Sequence, residues 1–206
     1  MSFFSLFGAS HSYLGVDIGT TSIKVVELSR KDKEIRLENY GILETRGAFE
    51  NASGALQTSS LRLLEPEVSR YLRTLLKRIG SHAREAIASL PAFAAFTTLV
   101  ELPKMSAEDV ARTIPFQSAQ YIPAPLSTVS IEWIPIGERV TNEGVRMQQI
   151  FLSSIPNELI EKHTAVFKNA GLHLRALEVE NQSLARVLSY DSDDPTLILD
   201  IGARSS

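Results

Sequence analysis

The sequence predicts an α/β fold. Residues 1–95 and 172–206 form a mixed core, and 96–171 form a smaller inserted α/β subdomain. Three observations carry this. Segments with apolar residues at period two and segments with helical spacing follow one another along the chain. A strand–helix–hairpin–helix block, closed off by prolines and glycines, occupies 96–171. An apolar strand running into Asp-Ile-Gly occurs twice, as LGVDIGTTS at 14–22 and LILDIGARS at 197–205.

Taken in order, 12–28 reads as a hairpin whose corner is Gly19–Ser22, and 34–45 alternates as a third strand. The Gly-, Ser- and Asn-rich stretch 47–60 reads as a surface loop. Pro66 opens a helix with Val68, Tyr71, Leu72, Leu75, Leu76 and Ile79 on one face, and Gly80 ends it. Its Arg and Lys residues read as the solvated face. EAIASL at 85–90 is a buried strand closed by Pro91. In the inserted block, 96–103 is a strand and Ser106 with Asp109 starts a helix. Pro115 interrupts that helix at about 3 kcal/mol unless it kinks or restarts there. Pro123 and Pro125 stop it near Tyr121. Residues 128–137 and 144–155 form a hairpin, and a helix follows with Leu159, Ile160, His163, Val166, Phe167 and Ala170 on one face. The core resumes with a strand at HLRALEV, a helix over 180–190, an acidic loop DSDDP and a last strand in TLILDIG.

Composition excludes several classes of function. With 206 residues, 44% apolar and 22% charged, the chain has an ordinary globular make-up. A net charge of −3 offers no basic surplus for nucleic acid. The absence of cysteine removes disulfides, thiolate metal sites and a cysteine nucleophile. No apolar run reaches the roughly 18–20 residues of a membrane span. MSFFSLFGAS lacks a positive n-region and reads as a loose tail rather than a leader. His11, His82, His163 and His173 show no ligand spacing, and His163 reads as a packed core residue. P-loop, H-E-x-x-H and G-x-S-x-G patterns are absent. Trp133 lies in a hairpin, where packing explains it.

The duplicated turn is the feature with chemical content. A hairpin corner would account for one copy. A phosphate nest is the alternative, because Gly19 can adopt a positive φ and lets backbone N–H groups approach a ligand. Thr20, Thr21 and Ser22 add hydroxyls, Lys24 adds a cation, and Asp17 could face Mg²⁺ through water. Two such turns facing one another would grip a nucleotide's phosphates, with Asp17 and Asp200 converging on the metal.

These paired loops resemble the phosphate-1 and phosphate-2 loops of the actin-like ATPase superfamily. Within it the chain resembles the PilM family of type IV pilus assembly, a relative of the FtsA division proteins. LGVDIGTTSIKVVELS (14–29), VELPKMSAEDV (100–110), QYIPAPLSTVSIEW (120–133), NAGLHLRALEVENQSLAR (169–186) and LILDIGA (197–203) carry the resemblance. DIGTTSIK is shared with sugar kinases, whereas QYIPAP and AGLHLRALEVE are particular to pilus proteins.

The resemblance implies an actin-like ATPase, ribonuclease-H-like first lobe with an inserted subdomain, and ATP with Mg²⁺ as cofactors. Asp17, Gly19, Thr20, Thr21, Ser22 and Lys24 would form phosphate-1, with Asp200 and Gly202 opening phosphate-2. Asp17 and Asp200 would face the metal, and Glu180 or Asn181 would orient a water. The bland alternative for Glu180 is a charge in the first turn of a helix. Two local departures stand out. Glu178 occupies a position where the family more often has Asp, and Pro115 with Gln117 falls where a continuous helix with an acidic residue is usual. The sequence stops inside phosphate-2, so the expectation is a first lobe without the second, and weak or absent nucleotide binding in this chain.

The implied function is a cytoplasmic scaffold of pilus assembly, peripheral to the inner membrane. Its implied partner is the cytoplasmic N-terminal tail of the bitopic pilus protein PilN, lodged between core and inserted subdomains. Contact with the membrane would come only through partners. A sugar kinase and an FtsA-like division protein are the alternatives. The kinase would need a sugar pocket with a catalytic Asp, and QYIPAP speaks against it.

Overall fold

The computed structural model describes residues 12–19, 21–31, 34–45, 65–189 and 195–201. The amino-terminal stretch 1–10, the expected loop 47–60 and most of DSDDP lie outside them. Two units result: Met1–Pro91 with Glu161–Ser206, and Ala92–Ile160.

The first unit is built on a five-stranded sheet of order β3-β2-β1-β4-β8. Strands β1 (Ser12–Ile18), β2 (Ser22–Lys31) and β3 (Glu34–Glu44) are antiparallel neighbours, as their alternation predicts. β4 (Glu85–Leu90) pairs parallel with β1, and β8 (His173–Val179) pairs parallel with β4. Leu14, Val16, Ile23, Val25, Ala86 and Ala88 face a core formed with helices α1 (Glu65–Ile79) and α3 (Asn157–Asn169). Leu72 and Phe167 are fully buried there. The helices meet at a small residue. Ser69 is buried, with its Oγ 2.6 Å from Glu65 O and 3.0 Å from Val166 O. Gly80 and Gly171 follow α1 and α3 at φ +68° and +80°, the left-handed conformation that closes a helix.

Helix α3 differs from its expected place. Sequence spacing puts it inside the inserted block, yet the division falls at 160/161, and Val166 and Phe167 belong to the core of the first unit. Lys162 is buried on this helix, whereas His163, expected to be packed, is half-buried.

β3 carries a bulge that alternation alone hides. Glu27 pairs with Asn39 and Leu28 with Leu37, so Glu38 has no partner in the ladder. The extra residue rephases the strand. Ile35, Leu37, Tyr40 and Ile42 therefore share the face of Lys24 and Val26 and are exposed. Opposite the bulge, Glu27 is buried and accepts from Ser12 Oγ at 2.7 Å and Asn39 Nδ2 at 2.8 Å. Burial pushes its carboxyl up, but the bonds from Asn39, Ser12 and Ser81, with His82 nearby, outweigh that and hold it below 4.5.

The second unit holds a three-stranded antiparallel sheet of order β5-β7-β6. It comprises β5 (Phe96–Pro103), β6 (Val129–Val140) and β7 (Arg146–Pro156). Helix α2 (Ala107–Ser118) is capped by Ser106, whose Oγ accepts from Asp109 N at 3.1 Å. Pro115 lies within the unbroken helix instead of interrupting it. Pro115 and Ala111 are exposed, so water can satisfy the carbonyl that loses its donor. Val110 and Ile114 meanwhile pack with Val100, Leu102, Ile150 and Leu152, and Trp133 packs against the same cluster. On β5, Arg139 and Gln149 bind the Glu101 carboxylate and bring its pKa down to about 2.

The predicted last strand is absent. Residues 195–201 have no regular structure, and Leu197, Leu199 and Ile201 are exposed. Alternation makes a strand only where a partner offers its edge, and neither β3 nor β8 pairs with this stretch.

Two outcomes test this packing. A Cβ on Gly41 would lie 2.7 Å from Ile79 Cγ2 and 2.8 Å from Leu75 Cδ1. Gly41→Val should therefore lower unfolding free energy by about 1–3 kcal/mol in urea titrations, and an unchanged midpoint would contradict the close packing. Because the folded Glu27 carboxyl sits below 4.5, its contribution is complete above that value and is lost as pH falls through the depressed one. The stability difference between wild type and Glu27→Gln should be full above the ordinary glutamate range and shrink as pH falls below it; a pH-independent difference would contradict the assignment.

Candidate functional site

The carboxyl ends of three parallel strands lie side by side, and in open α/β sheets that edge is where ligands bind. Register fixes what stands there. Val16 pairs with Ala88, both buried, so the next residues, Asp17 and Ser89, turn to the opposite face. Ser89 pairs with Glu178 on β8, and Asp17 pairs with Lys24 on β2. The result is a polar row across four strands: Lys24, Asp17, Ser89, Glu178.

Both oxygens of Asp17 are engaged. Ser89 Oγ donates to Oδ1 at 2.8 Å and Lys24 Nζ to Oδ2 at 3.2 Å. The ion pair is open to water, with side chains 56% and 40% exposed for Lys24 and Asp17. At the other end of the row, Arg186 of α4 (Glu180–Leu188) grips Glu178 with both terminal nitrogens, and Ser183 Oγ donates to Glu178 Oε2 at 2.7 Å. Burial pushes the Glu178 carboxyl up, yet Arg186 and Ser183 more than offset it and leave it lowered.

The β1–β2 turn differs in detail from the expected nest. The glycines at positive φ among the described residues are Gly80, Gly144 and Gly171. Gly19 instead serves close approach: its N–H donates to Ser22 O at 2.9 Å, and a Cβ would lie 3.2 Å from that oxygen. Its donor is thus occupied inside the turn and does not face outward. Thr21 O accepts from Thr45 N at 2.9 Å, which ties the turn to the end of β3. Thr45 is 5% exposed and its Oγ1 has no partner among the described residues.

Of the predicted site residues, Asp17, Gly19, Thr21, Ser22 and Lys24 come together at this turn. Thr20 and Gly202 lie outside the described residues. Glu180 is half-buried in the first turn of α4. Asp200 is exposed in the irregular stretch 195–201, which joins neither sheet. The facing pair of turns is therefore not formed among the described residues. Ser89, Glu178 and Arg186 were missed as members of the site. A parity argument on EAIASL, in which Ser89 falls on the face opposite Ala86 and Ala88, would have flagged the first of them.

Among the described residues no three His, Cys, Asp or Glu side chains cluster as a metal site. A single carboxylate beside a cation and hydroxyls is nevertheless what Mg²⁺ uses when phosphates and water complete its shell. Lys24, Asp17, Thr21 and Ser22 fit that demand.

A family model described as type IV pilus assembly protein PilM matches residues 15–205. The chain is similar to the solved PilM–PilN type IV pilus biogenesis complex, with a TM-score of 0.70 and 18% identity, over 86% of this chain and 50% of that one. It is also similar to the cytoplasmic domain of EpsL from Vibrio cholerae, an inner membrane component of the type II secretion system. There the TM-score is 0.53 and the identity 12%, over 82% of this chain and 57% of that one. The chain thus spans about half the length of the structures it matches. At these identities the likeness is one of fold: the chain shares the mixed α/β fold of those structures.

The lock on Glu178 is open to a double-mutant cycle. Arg186→Ala should cost about 1 kcal/mol, because the pair is partly exposed, and Glu178→Gln should remove most of that cost. Additive losses in chemical unfolding would mean that the two side chains do not act together.

Proposed function

We propose that this chain, which belongs to the type IV pilus assembly protein PilM family, is a nucleotide-binding scaffold of pilus assembly that takes the N-terminal tail of PilN. The family match across 15–205, which spans both units, is the observation that carries the reading. The partner follows from the complex in which a chain of this fold was solved with PilN. We place the protein in the cytoplasm, held at the inner membrane through that partner. Among the described residues no helix is long and apolar enough to cross a membrane.

The proposed nucleotide contacts rest on the polar row. Lys24 neutralises phosphate charge from an exposed position at the carboxyl end of the sheet. Asp17 would help hold a bound Mg²⁺, which would screen the phosphates. Thr21 and Ser22 supply hydroxyls beside them. Glu178, gripped by Arg186, takes no part in metal binding and holds α4 in place. Any contribution of Asp200 and Gly202 belongs to this proposal as well.

The partner reading is tested by titrating a synthetic peptide of the PilN cytoplasmic N-terminus into the chain at low and high salt. The chain's net charge is only −3, so saturable binding with modest salt dependence is expected, and a scrambled peptide should give no response. Equal responses to both peptides would overturn the reading.

A further inference from the structure

We infer that Ser89 is the positioning residue of the Asp17 carboxylate, the fixed hold that keeps it aimed while Lys24 is drawn to phosphate. This rests on the nucleotide part of the reading above. Asp17 has two holds of different character. Lys24 reaches Oδ2 from an exposed position, at 3.2 Å. Its ammonium is a flexible, strongly hydrated point charge, and such surface pairs fix geometry weakly. A phosphate arriving at the strand ends competes directly for it.

Ser89 is held differently. It lies one residue beyond Ala88, whose register with Val16 is set by burial on both strands, so its Cβ cannot drift from Asp17 without breaking the ladder. Its single hydroxyl proton goes to Oδ1 at 2.8 Å. The other carboxylate within reach of the register, Glu178, is already occupied by Arg186 and Ser183, so it does not draw that proton away. With Lys24 drawn to phosphate, Oδ2 would lose its partner and could help hold a bound Mg²⁺, while Ser89 would keep Oδ1 in place. Ser89 itself touches neither metal nor nucleotide; it acts through Asp17.

The test is a chemical-shift titration of the chain with ATP to millimolar concentration, with and without Mg²⁺. Wild type should bind more tightly with Mg²⁺, and Asp17→Asn should abolish that gain. Ser89→Ala should lose about tenfold of the Mg²⁺-dependent affinity, the worth of one hydrogen bond to a charged group, and leave Mg²⁺-free affinity unchanged. Ser89→Thr, which keeps the hydroxyl, should behave as wild type. Ser89→Cys, close in size but a weak donor, should follow Ala and guards against a folding defect. A Ser89→Ala variant that keeps the full gain, or loses affinity equally without Mg²⁺, would overturn the inference while leaving the nucleotide reading intact. Absence of any Mg²⁺ gain in wild type, or its survival in Asp17→Asn, would overturn that reading and the inference with it.

Discussion

The first unit depends on β1 being antiparallel to one neighbour and parallel to the other. β1 is the middle strand of five, and its Leu14 and Val16 are almost completely buried on one face. Antiparallel pairing with β2 needs only a tight turn, which places Lys24 opposite Asp17 within seven residues of chain. Parallel pairing with β4 requires a crossover and brings Ser89 to the same level from 72 residues away. A slip of one residue in either pairing would turn Asp17 into the core and Val16 out of it. The register is also fastened at the opposite end of the strands. There Glu85 binds Arg175 and His173 across β4 and β8, and the Arg175 guanidinium holds its carboxyl below the usual glutamate value.

What could be read in the sequence was what local spacing controls. The hairpin at 12–28, the α1 face from Val68 to Ile79, the Ser106 cap and the strands at 85–90 and 173–179 all formed as their apolar periods predict. What escaped depended on partners distant in the chain. Ser89 looks like a polar interruption in EAIASL until β1 lies beside it. Glu178 looks like a departure from a family pattern until Arg186 closes on it from the next helix. The bulge at Glu38 is invisible because nothing in IRLENYGI marks where the period shifts, and only pairing with β2 shows that its four large apolar residues share one face.

The two Asp-Ile-Gly turns show the same limit from the other side. As strings they are alike. In the fold they have different fates. Asp17 ends a strand with hydrogen-bonded neighbours on both sides, so its backbone is fixed before any ligand arrives. Asp200 follows Leu197 and Leu199, which alternate correctly but remain exposed without a sheet to join. Periodicity specifies which side chains would share a face, and it does not supply the edge against which that face forms.

The polar row itself has a charge logic that neither motif contained. Two carboxylates, Asp17 and Glu178, flank Ser89, and each has its own cation at the outer end of the row. Without those cations the two negative charges would repel across the sheet. The pairs are unequal, however. Glu178 is mostly buried, bound by a two-pronged guanidinium, and closed to further ligands. Asp17 is 40% exposed and bound by one ammonium that solvent already reaches. Of two acids set in one row by one register, Asp17 alone keeps a cation that solvent can reach, and the proposed phosphate contact at the Lys24 end of the sheet depends on that difference.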